Sequence, residues 1–121
     1  MIGGPDLRMM FPSMFTAIYS FRAKSGKEQQ LLDAWASITR EFVRTRGSLG
    51  SRMHRNKDGK YVAIALWPDR AHWEALSSSI SPELEAARSA MHEACEEITT
   101  EHELDLVLDL WKAPGQRSTS L

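Results

Sequence analysis

The feature that most constrains the fold is the stretch Lys60–Leu76, which reads KYVAIALWPDRAHWEAL. Seven apolar or aromatic residues follow one another from Tyr61 to Trp67, and an uninterrupted run of this kind is typical of a strand that is covered on both faces. Pro68 and Asp69 end the run, and Asp69 is a favourable N-cap for a short helix with apolar first residues. The stretch therefore predicts an inner strand that passes directly into a helix.

The residues before this stretch predict a strand, a long helix and a second strand. Met14–Arg22 is apolar on both alternating faces, as in a strand with both faces covered. Ser25 and Glu28 form a capping-box pattern, which predicts a helix that begins after Ser25 and ends at Gly47. Its buried stripe is expected to contain Leu31, Leu32, Trp35, Ile38, Phe42 and Val43. Leu49–Arg55 is more polar and is therefore expected at a sheet edge.

The residues after the edge strand predict a hairpin, a second long helix and a last strand. Lys57, Asp58 and Gly59 are expected to form the turn into the inner strand. Ser81 and Pro82 predict the start of the helix, as its N-cap and its first residue. The buried stripe of this helix is expected at Leu84, Ala87, Met91, Cys95 and Ile98. The last strand is expected at 101–111, with Leu104, Leu106, Leu108 and Leu110 on one face.

This order of elements, β-α-β-β-α-β, predicts an α+β protein with a ferredoxin-like, four-stranded antiparallel sheet. Helices can cover only one face of such a sheet, yet the strands are apolar on both faces. The economical cover for the second face is the same face of another copy, so a homodimer that pairs through its sheets, a dimeric α/β barrel, is predicted. The domain is expected at residues 14–112, between a flexible leader at 1–13 and a flexible tail at 113–121.

Composition excludes several classes of partner. Fifteen basic and sixteen acidic residues give a formal net charge of -1, which provides no field for nucleic acid or an anionic membrane. The single cysteine, Cys95, cannot form an internal disulfide, and this composition together with the lack of a secretory or membrane-spanning apolar run predicts a cytoplasmic protein. The four histidines are scattered one per element, so no metal site is predicted.

Four segments also match a family pattern. FTAIYSFRAKSGKEQQLLDAW is similar to the family's first strand, turn and long helix, and RGSLGSRMHRN to its glycine and second strand. Asp58-Gly59 is similar to its hairpin, and LWPDRAHWEAL to its passage from strand to helix. Over about Met14 to Trp111, the chain resembles the antibiotic biosynthesis monooxygenase-like domains of the dimeric α/β-barrel superfamily.

The resemblance implies a cavity between sheet and helices that binds flat aromatic or polyketide-like molecules. Members of the family include cofactor-independent quinone-forming monooxygenases, haem-degrading enzymes and proteins of undefined role. The haem-degrading members have a tryptophan and a histidine about where Leu76 and Ala86 stand here, and they have an asparagine on the first strand that Met14–Arg22 lacks. Haem degradation is therefore not expected, and no cofactor is implied.

Oxygenation without a cofactor needs an apolar pocket, a base for the phenolic proton and a dry path for dioxygen. Tyr19 and His72 are the predicted catalytic residues, because each can orient or deprotonate a phenol. The predicted pocket is lined by Arg22, Trp35, His54, Trp67 and Trp73. Two functions stay open: a monooxygenase that acts on a small aromatic or quinol substrate, and a non-catalytic dimer that binds a hydrophobic ligand or acts as a scaffold. In the second case the tryptophans are core residues.

Overall fold

A computed structural model describes residues 14–75 and 80–112 of the chain. Its elements are β1 Phe15–Ala23, α1 Glu28–Thr45, β2 Gly50–Arg55, β3 Tyr61–Trp67, α2 Arg70–Glu74, α3 Pro82–Ala94 and β4 Cys95–Asp105. The strands form a four-stranded antiparallel sheet in the order β2-β3-β1-β4. The predicted ferredoxin-like α+β fold is therefore confirmed, with β3 inside the sheet and β2 at an edge, as expected.

The apolar run of β3 divides between the two faces of the sheet. Tyr61, Ala63, Ala65 and Trp67 are buried on the face that α1 and α3 cover. Val62, Ile64 and Leu66 are half-buried on the opposite face. The core beneath the helices has two parts, one around Trp67 with Phe15, Phe42 and Leu84, and one around Tyr61 with Phe21 and Leu31. The two ends of the sheet are consequently packed by different side chains.

The start of β4 differs from the prediction. The strand begins at Cys95 and ends at Asp105, whereas the sequence pattern predicted 101–111. Cys95 and Ile98 therefore belong to the strand and not to α3, which ends at Ala94. The reason is the partner strand: β4 pairs with β1 from Ala23 opposite Cys95 to Phe15 opposite Asp105, and this ladder overrides the helical spacing of the apolar residues.

The predicted capping box at Ser25 is also wrong. The N-cap of α1 is Lys27, and no side chain caps this end of the helix. Ser25 and Gly26 lie in a turn that separates β1 from α1, and Gly26 has a φ of +83°, which a residue with a side chain rarely adopts. The turn places the helix start after Lys27, so Ser25 is not the residue that caps α1.

The other helix ends follow the sequence signals. Asp69 caps α2 by accepting a hydrogen bond from the backbone N–H of His72 at 2.8 Å. Ser81 caps α3 by accepting one from Leu84 at 3.0 Å. Gly47, just beyond α1, has a φ of +78°, in agreement with its predicted role at the helix end.

The sheet face opposite the helices, here called the open face, is covered by no element among the described residues. It includes Ile18 and Arg22 of β1, Arg52 and His54 of β2, Val62, Ile64 and Leu66 of β3, and Leu104 of β4. The terminal segment, residues 106–112, leaves the sheet where the Leu106 N–H donates to Met14 at 2.9 Å. It leads to the opposite edge, where the Arg52 guanidinium lies 5.0 Å from the Trp111 ring centroid.

The terminal segment is apolar and exposed. Val107, Leu108, Leu110 and Trp111 are between 71% and 92% exposed, and Leu104 is 44% exposed. Several large apolar side chains at such exposure within one short segment are unusual on a monomeric protein. None of the described helices is long and apolar enough to cross a membrane.

Candidate functional site

Tyr19 lies in the middle of β1, on the face that the helices cover, and contacts both parts of the core. Its hydroxyl accepts a hydrogen bond of 2.7 Å from the indole Nε1 of Trp73. Burial raises the pKa of the Tyr19 phenol above its ordinary value, and the Trp73 hydrogen bond opposes that shift without cancelling it. Tyr19 is therefore a neutral hydrogen-bond donor near pH 7, and within the described residues its proton has no acceptor.

Aromatic side chains surround Tyr19. The Trp73 ring lies 5.1 Å from that of Phe15, and the Trp35 ring meets Tyr19 edge-on at 5.7 Å. The Trp35 indole donates to the hydroxyl of Ser51 at 2.9 Å, so its polar atom is satisfied on the β2 side. Trp35 and Trp73 thus both border Tyr19, and each has its indole N–H bound to the protein.

Trp67 differs from these two tryptophans. Its side chain is 2% exposed and packs with Phe42 at 5.6 Å in the same part of the core that Tyr19 and Trp73 contact. Its Nε1 is buried and has no hydrogen-bond partner among the described residues. A buried donor without an acceptor costs about 1–3 kcal/mol, so such an atom needs an explanation.

His72 lies beside Trp73 on α2, but its ring points elsewhere. Its Nδ1 is 2.7 Å from the Asp69 carboxylate, and a Cβ placed on Gly47 would be 3.1 Å from its Cδ2. The hydrogen bond to the His72 side chain holds the pKa of Asp69 below its ordinary value. An ionised Asp69 favours the tautomer with hydrogen on Nδ1, which leaves Nε2 able to accept a proton.

The remaining two predicted residues lie on the open face. Arg22 is exposed, with its Nε 3.9 Å from the Glu97 carboxylate, and His54 is exposed on β2. The structure thus brings Tyr19, Trp35, Trp67 and Trp73 to one side of the sheet and places Arg22 and His54 on the other. Side chains alternate between the two faces along a strand. Arg22 is an odd number of positions from Tyr19, and His54 is an odd number of positions from the helix-facing residues of β2, so both point to the open face.

Three charged residues near Tyr19 escaped the sequence reasoning. Arg70 donates to Glu103 at 2.7 Å and lies over the Phe15 ring at 4.6 Å. Arg88 and Glu103 both contribute to the electrostatic environment of the Tyr19 phenol. No spacing along the chain links these residues, because they come from α2, α3 and β4. The signal that could have located Glu103 is the antiparallel register, which sets it opposite Ala17.

Metal-ligating groups and open grooves are the other features of the described residues that bear on this site. Among residues 14–75 and 80–112, no group of three or more metal-ligating side chains is present. Open grooves of about 670 Å³ and 590 Å³ lie between α1 and α3 and at the β2–β3 hairpin, and none of the predicted site residues lines them. Leu76 and the proposed leader and tail lie outside the described residues, while Ala86 lies on α3.

Comparison with solved structures shows the same fold. SnoaB, a cofactor-independent oxygenase from Streptomyces nogalater, has a TM-score of 0.65 and 18% identity, covering 83% of this chain and 99% of SnoaB. A protein from Caulobacter crescentus assigned to the antibiotic biosynthesis monooxygenases has a TM-score of 0.65 and 17% identity, covering 79% of this chain and 92% of that one. Rv0793 from Mycobacterium tuberculosis has a TM-score of 0.63 and 14% identity, covering 82% and 100%.

No curated protein sequence is similar enough to this chain to count as a match. The family model of the antibiotic biosynthesis monooxygenases, in contrast, matches residues 14–96. That match includes β1, α1, β2, β3, α2 and α3, with Tyr19, Trp67 and Trp73 among them. The chain therefore belongs to the antibiotic biosynthesis monooxygenase family.

Proposed function

We propose that this protein is a monooxygenase that oxidises a small aromatic or quinol substrate without a cofactor, at Tyr19, Trp67 and Trp73 between the sheet and the helices. The observation that carries the proposal is the buried, unpaired Nε1 of Trp67 in the same part of the core that Tyr19 contacts. Family membership supports a monooxygenase-like role, and the fold is shared with a cofactor-independent oxygenase.

In the proposed reaction, dioxygen reacts with the anion of an electron-rich phenol or anthrone. One oxygen atom becomes the carbonyl oxygen of the product and the other leaves as water, so the substrate itself is the reductant. The neutral Tyr19 hydroxyl and the Trp67 N–H are proposed to donate to the substrate oxygen as it becomes negative. Donors that are already positioned where the negative charge develops lower the pKa of the substrate, and they therefore favour its reactive anion.

The proposed base is His72. Asp69 orients its ring and leaves Nε2 available as the proton acceptor. The His72 ring lies against Gly47, so His72 is tested separately from the proposed donors Tyr19 and Trp67.

The test is oxygen uptake with a panel of anthrone- and hydroquinone-type substrates. Tyr19→Phe and Trp67→Phe are each expected to lower kcat by about 10²–10³-fold, as loss of one oxyanion donor does in other enzymes. Trp35→Phe is the matched control, because its indole N–H is already bound to Ser51. His72→Gln is expected to lower kcat, because it removes the proposed proton acceptor.

The alternative is a non-catalytic protein that binds a hydrophobic ligand. A non-catalytic scaffold is the other form of this alternative, and it is favoured by the full burial of Phe15 and the near-full burial of Trp67, since a filled core is typical of a scaffold. Oxygen uptake equal to that of buffer for every substrate, together with quenching of tryptophan fluorescence by an anthrone, would establish this alternative.

We also propose that two copies pair through their open faces. The half-buried Ile18, Val62, Ile64 and Leu66 and the exposed terminal segment are the apolar surface that a second copy would cover. Sedimentation should then give twice the 13.7 kDa chain mass at micromolar concentration. Ile64→Glu should shift the mass towards one chain, whereas Val43→Glu, on the exposed side of α1, should not; a wild-type mass of one chain would refute the pairing.

A further inference from the structure

A second concave surface lies at the other end of the sheet, on the helix-covered side. It is an open cleft of about 590 Å³ between the start of α1 and the β2–β3 hairpin, lined among others by Glu28, Arg55, Lys57 and Tyr61. Tyr61 and Trp67 are the two ends of β3, which places the cleft about 20 Å from Trp67 at the usual rise per residue of a strand. The cleft is therefore separate from the proposed oxidation site.

Tyr61 gives the cleft a feature that its packing alone does not explain. Its side chain is 7% exposed, and its ring packs with Phe21 and Leu31 in the second part of the core. Its hydroxyl has no hydrogen-bond partner among the described residues, yet it is not among the fully enclosed polar atoms, as the Trp67 N–H is. The polar end of this buried side chain therefore opens into the cleft that it lines.

The rim of the cleft has charged groups that are not neutralised within the described part of the chain. Arg55 and Lys57 take part in none of the ion pairs found there, and neither does Glu28. Asn56 shapes the rim, because its side-chain oxygen accepts hydrogen bonds from the backbone N–H groups of Asp58 and Lys60, both at 2.9 Å. Two basic residues, one acidic residue and a tyrosine thus line one cleft, and the hydrogen bonds of Asn56 hold its rim in place.

We propose that this cleft binds a small polar monocarboxylate such as a 2-hydroxy acid. The planar guanidinium of Arg55 suits a carboxylate, to which it can donate two parallel hydrogen bonds, and Lys57 adds a second positive charge. The Tyr61 hydroxyl is then the partner of the ligand's own hydroxyl group. Glu28 on the same lining opposes a second negative charge, which favours a monoanion over phosphate.

The test is a titration of the ¹⁵N-labelled full chain with sodium lactate, followed by amide chemical shifts at constant ionic strength. Lactate is expected to shift signals from the hairpin and the start of α1 with a dissociation constant in the range of about 1 mM, which corresponds to about -4 kcal/mol. Lactamide, the neutral isostere, is expected to leave these signals unchanged, because it lacks the charge that Arg55 and Lys57 recognise.

Variants identify the groups responsible. Arg55→Gln is expected to weaken lactate binding about tenfold or more, and Tyr61→Phe, which keeps the buried ring, about three- to tenfold. Arg40→Gln, an exposed change of the same chemistry on α1, is the matched control and should have no effect. Glu28→Gln should strengthen phosphate binding more than lactate binding, since it removes the negative charge that opposes a dianion.

Several results would overturn the proposal. The absence of lactate-induced shifts in the wild-type chain would show that the cleft takes no monocarboxylate. Equal shifts with lactamide, or unchanged affinity in Arg55→Gln, would show that carboxylate recognition is not the basis of binding. Phosphate binding tighter than lactate in the wild type would contradict the role of Glu28. Oxygen uptake plays no part in this test, so its outcome is independent of the proposed oxidation.

Discussion

The hydrogen bond between the Trp73 indole and the Tyr19 hydroxyl can be tested with a double-mutant cycle. The two atoms are 2.7 Å apart, and their hydrogen bond joins β1 to α2. Tyr19 and Trp73 are 54 positions apart in the chain. The substitutions are Tyr19→Phe, Trp73→Phe and the pair together. Each single change removes one partner and leaves the other without its hydrogen bond, whereas the double change removes both.

The expected magnitude follows from burial. Tyr19 and Trp73 are both half-buried, so the group that is left unpaired regains part of its hydration. A net hydrogen bond contributes about 0.5–1.5 kcal/mol and an unpaired buried partner costs about 1–3 kcal/mol. Tyr19→Phe is therefore expected to lower the free energy of unfolding by about 1–2 kcal/mol, and the coupling energy of the cycle should be about 1 kcal/mol.

The assay is equilibrium unfolding in urea at one fixed protein concentration, since self-association would make the midpoint depend on concentration. With a slope of about 1–3 kcal/mol per molar urea, a loss of about 1.5 kcal/mol lowers the midpoint by about 0.5–1.5 M. The slopes of the four proteins must agree, because a changed slope would report a changed unfolded or native state.

A second cycle provides the control. Tyr19→Phe combined with Trp35→Phe perturbs two rings that are 5.7 Å apart, but the Trp35 N–H donates to Ser51 and not to Tyr19. Its coupling energy should remain below about 0.5 kcal/mol. If the Tyr19–Trp73 cycle is additive to the same degree, the hydrogen bond does not form in solution, and the assignment of Tyr19 as a positioned donor fails.

Three further predictions concern titration and backbone geometry. Burial raises the pKa of Tyr19 above 10.0. The contribution of Tyr19 to stability should therefore be complete below pH 10.0 and lost as pH rises through the folded-state pKa. Ultraviolet titration of the wild type, compared with Tyr19→Phe, measures this change. The hydrogen bond to the His72 side chain lowers the pKa of Asp69 below 3.8. The stabilisation that ionised Asp69 provides should therefore be present above pH 3.8 and lost as pH falls through the folded-state pKa. Asp69→Asn should abolish this acid dependence in thermal unfolding. Gly47→Ala should lower the free energy of unfolding by about 1–2 kcal/mol for the positive φ of this residue, and by a further amount for the contact of the new Cβ with His72. Gly26→Ala has open space around its Cβ position and should show the backbone cost alone. Equal losses in the two variants would contradict the position of the His72 ring.

The correct predictions from sequence depend on residues close together in the chain. The apolar run of β3, the polar edge strand and the caps at Asp69 and Ser81 are each set by a few neighbouring positions. One error occurs where a distant partner decides, and the other where a local turn was overlooked. The helical spacing of Cys95 and Ile98 was overridden by pairing with β1, and the turn at Gly26 moved α1 away from Ser25. Local propensity is a weak term beside a long ladder of backbone hydrogen bonds.

The candidate site divides in the same way. Strand alternation was sufficient to place Tyr19 and Trp67 on one face of the sheet. The sequence analysis grouped Arg22 and His54 with them in one pocket, although the same alternation puts both on the open face. Alternation could not show that Trp73 donates to Tyr19 while the N–H of Trp67 has no partner among the described residues.

The sequence by itself determined the fold class, because the order of elements follows from the order and periodicity of apolar residues along the chain. The family resemblance came from four segments that are similar to the family's own. Only the tertiary structure decided which polar atoms are satisfied. The free Trp67 N–H and the unpaired Tyr61 hydroxyl among the described residues, at opposite ends of β3, depend on contacts between elements that are far apart in sequence. Hydrogen bonds of this kind are short-ranged and directional, so they are set by the packing of α1, α2 and α3 on the sheet and not by spacing in the chain.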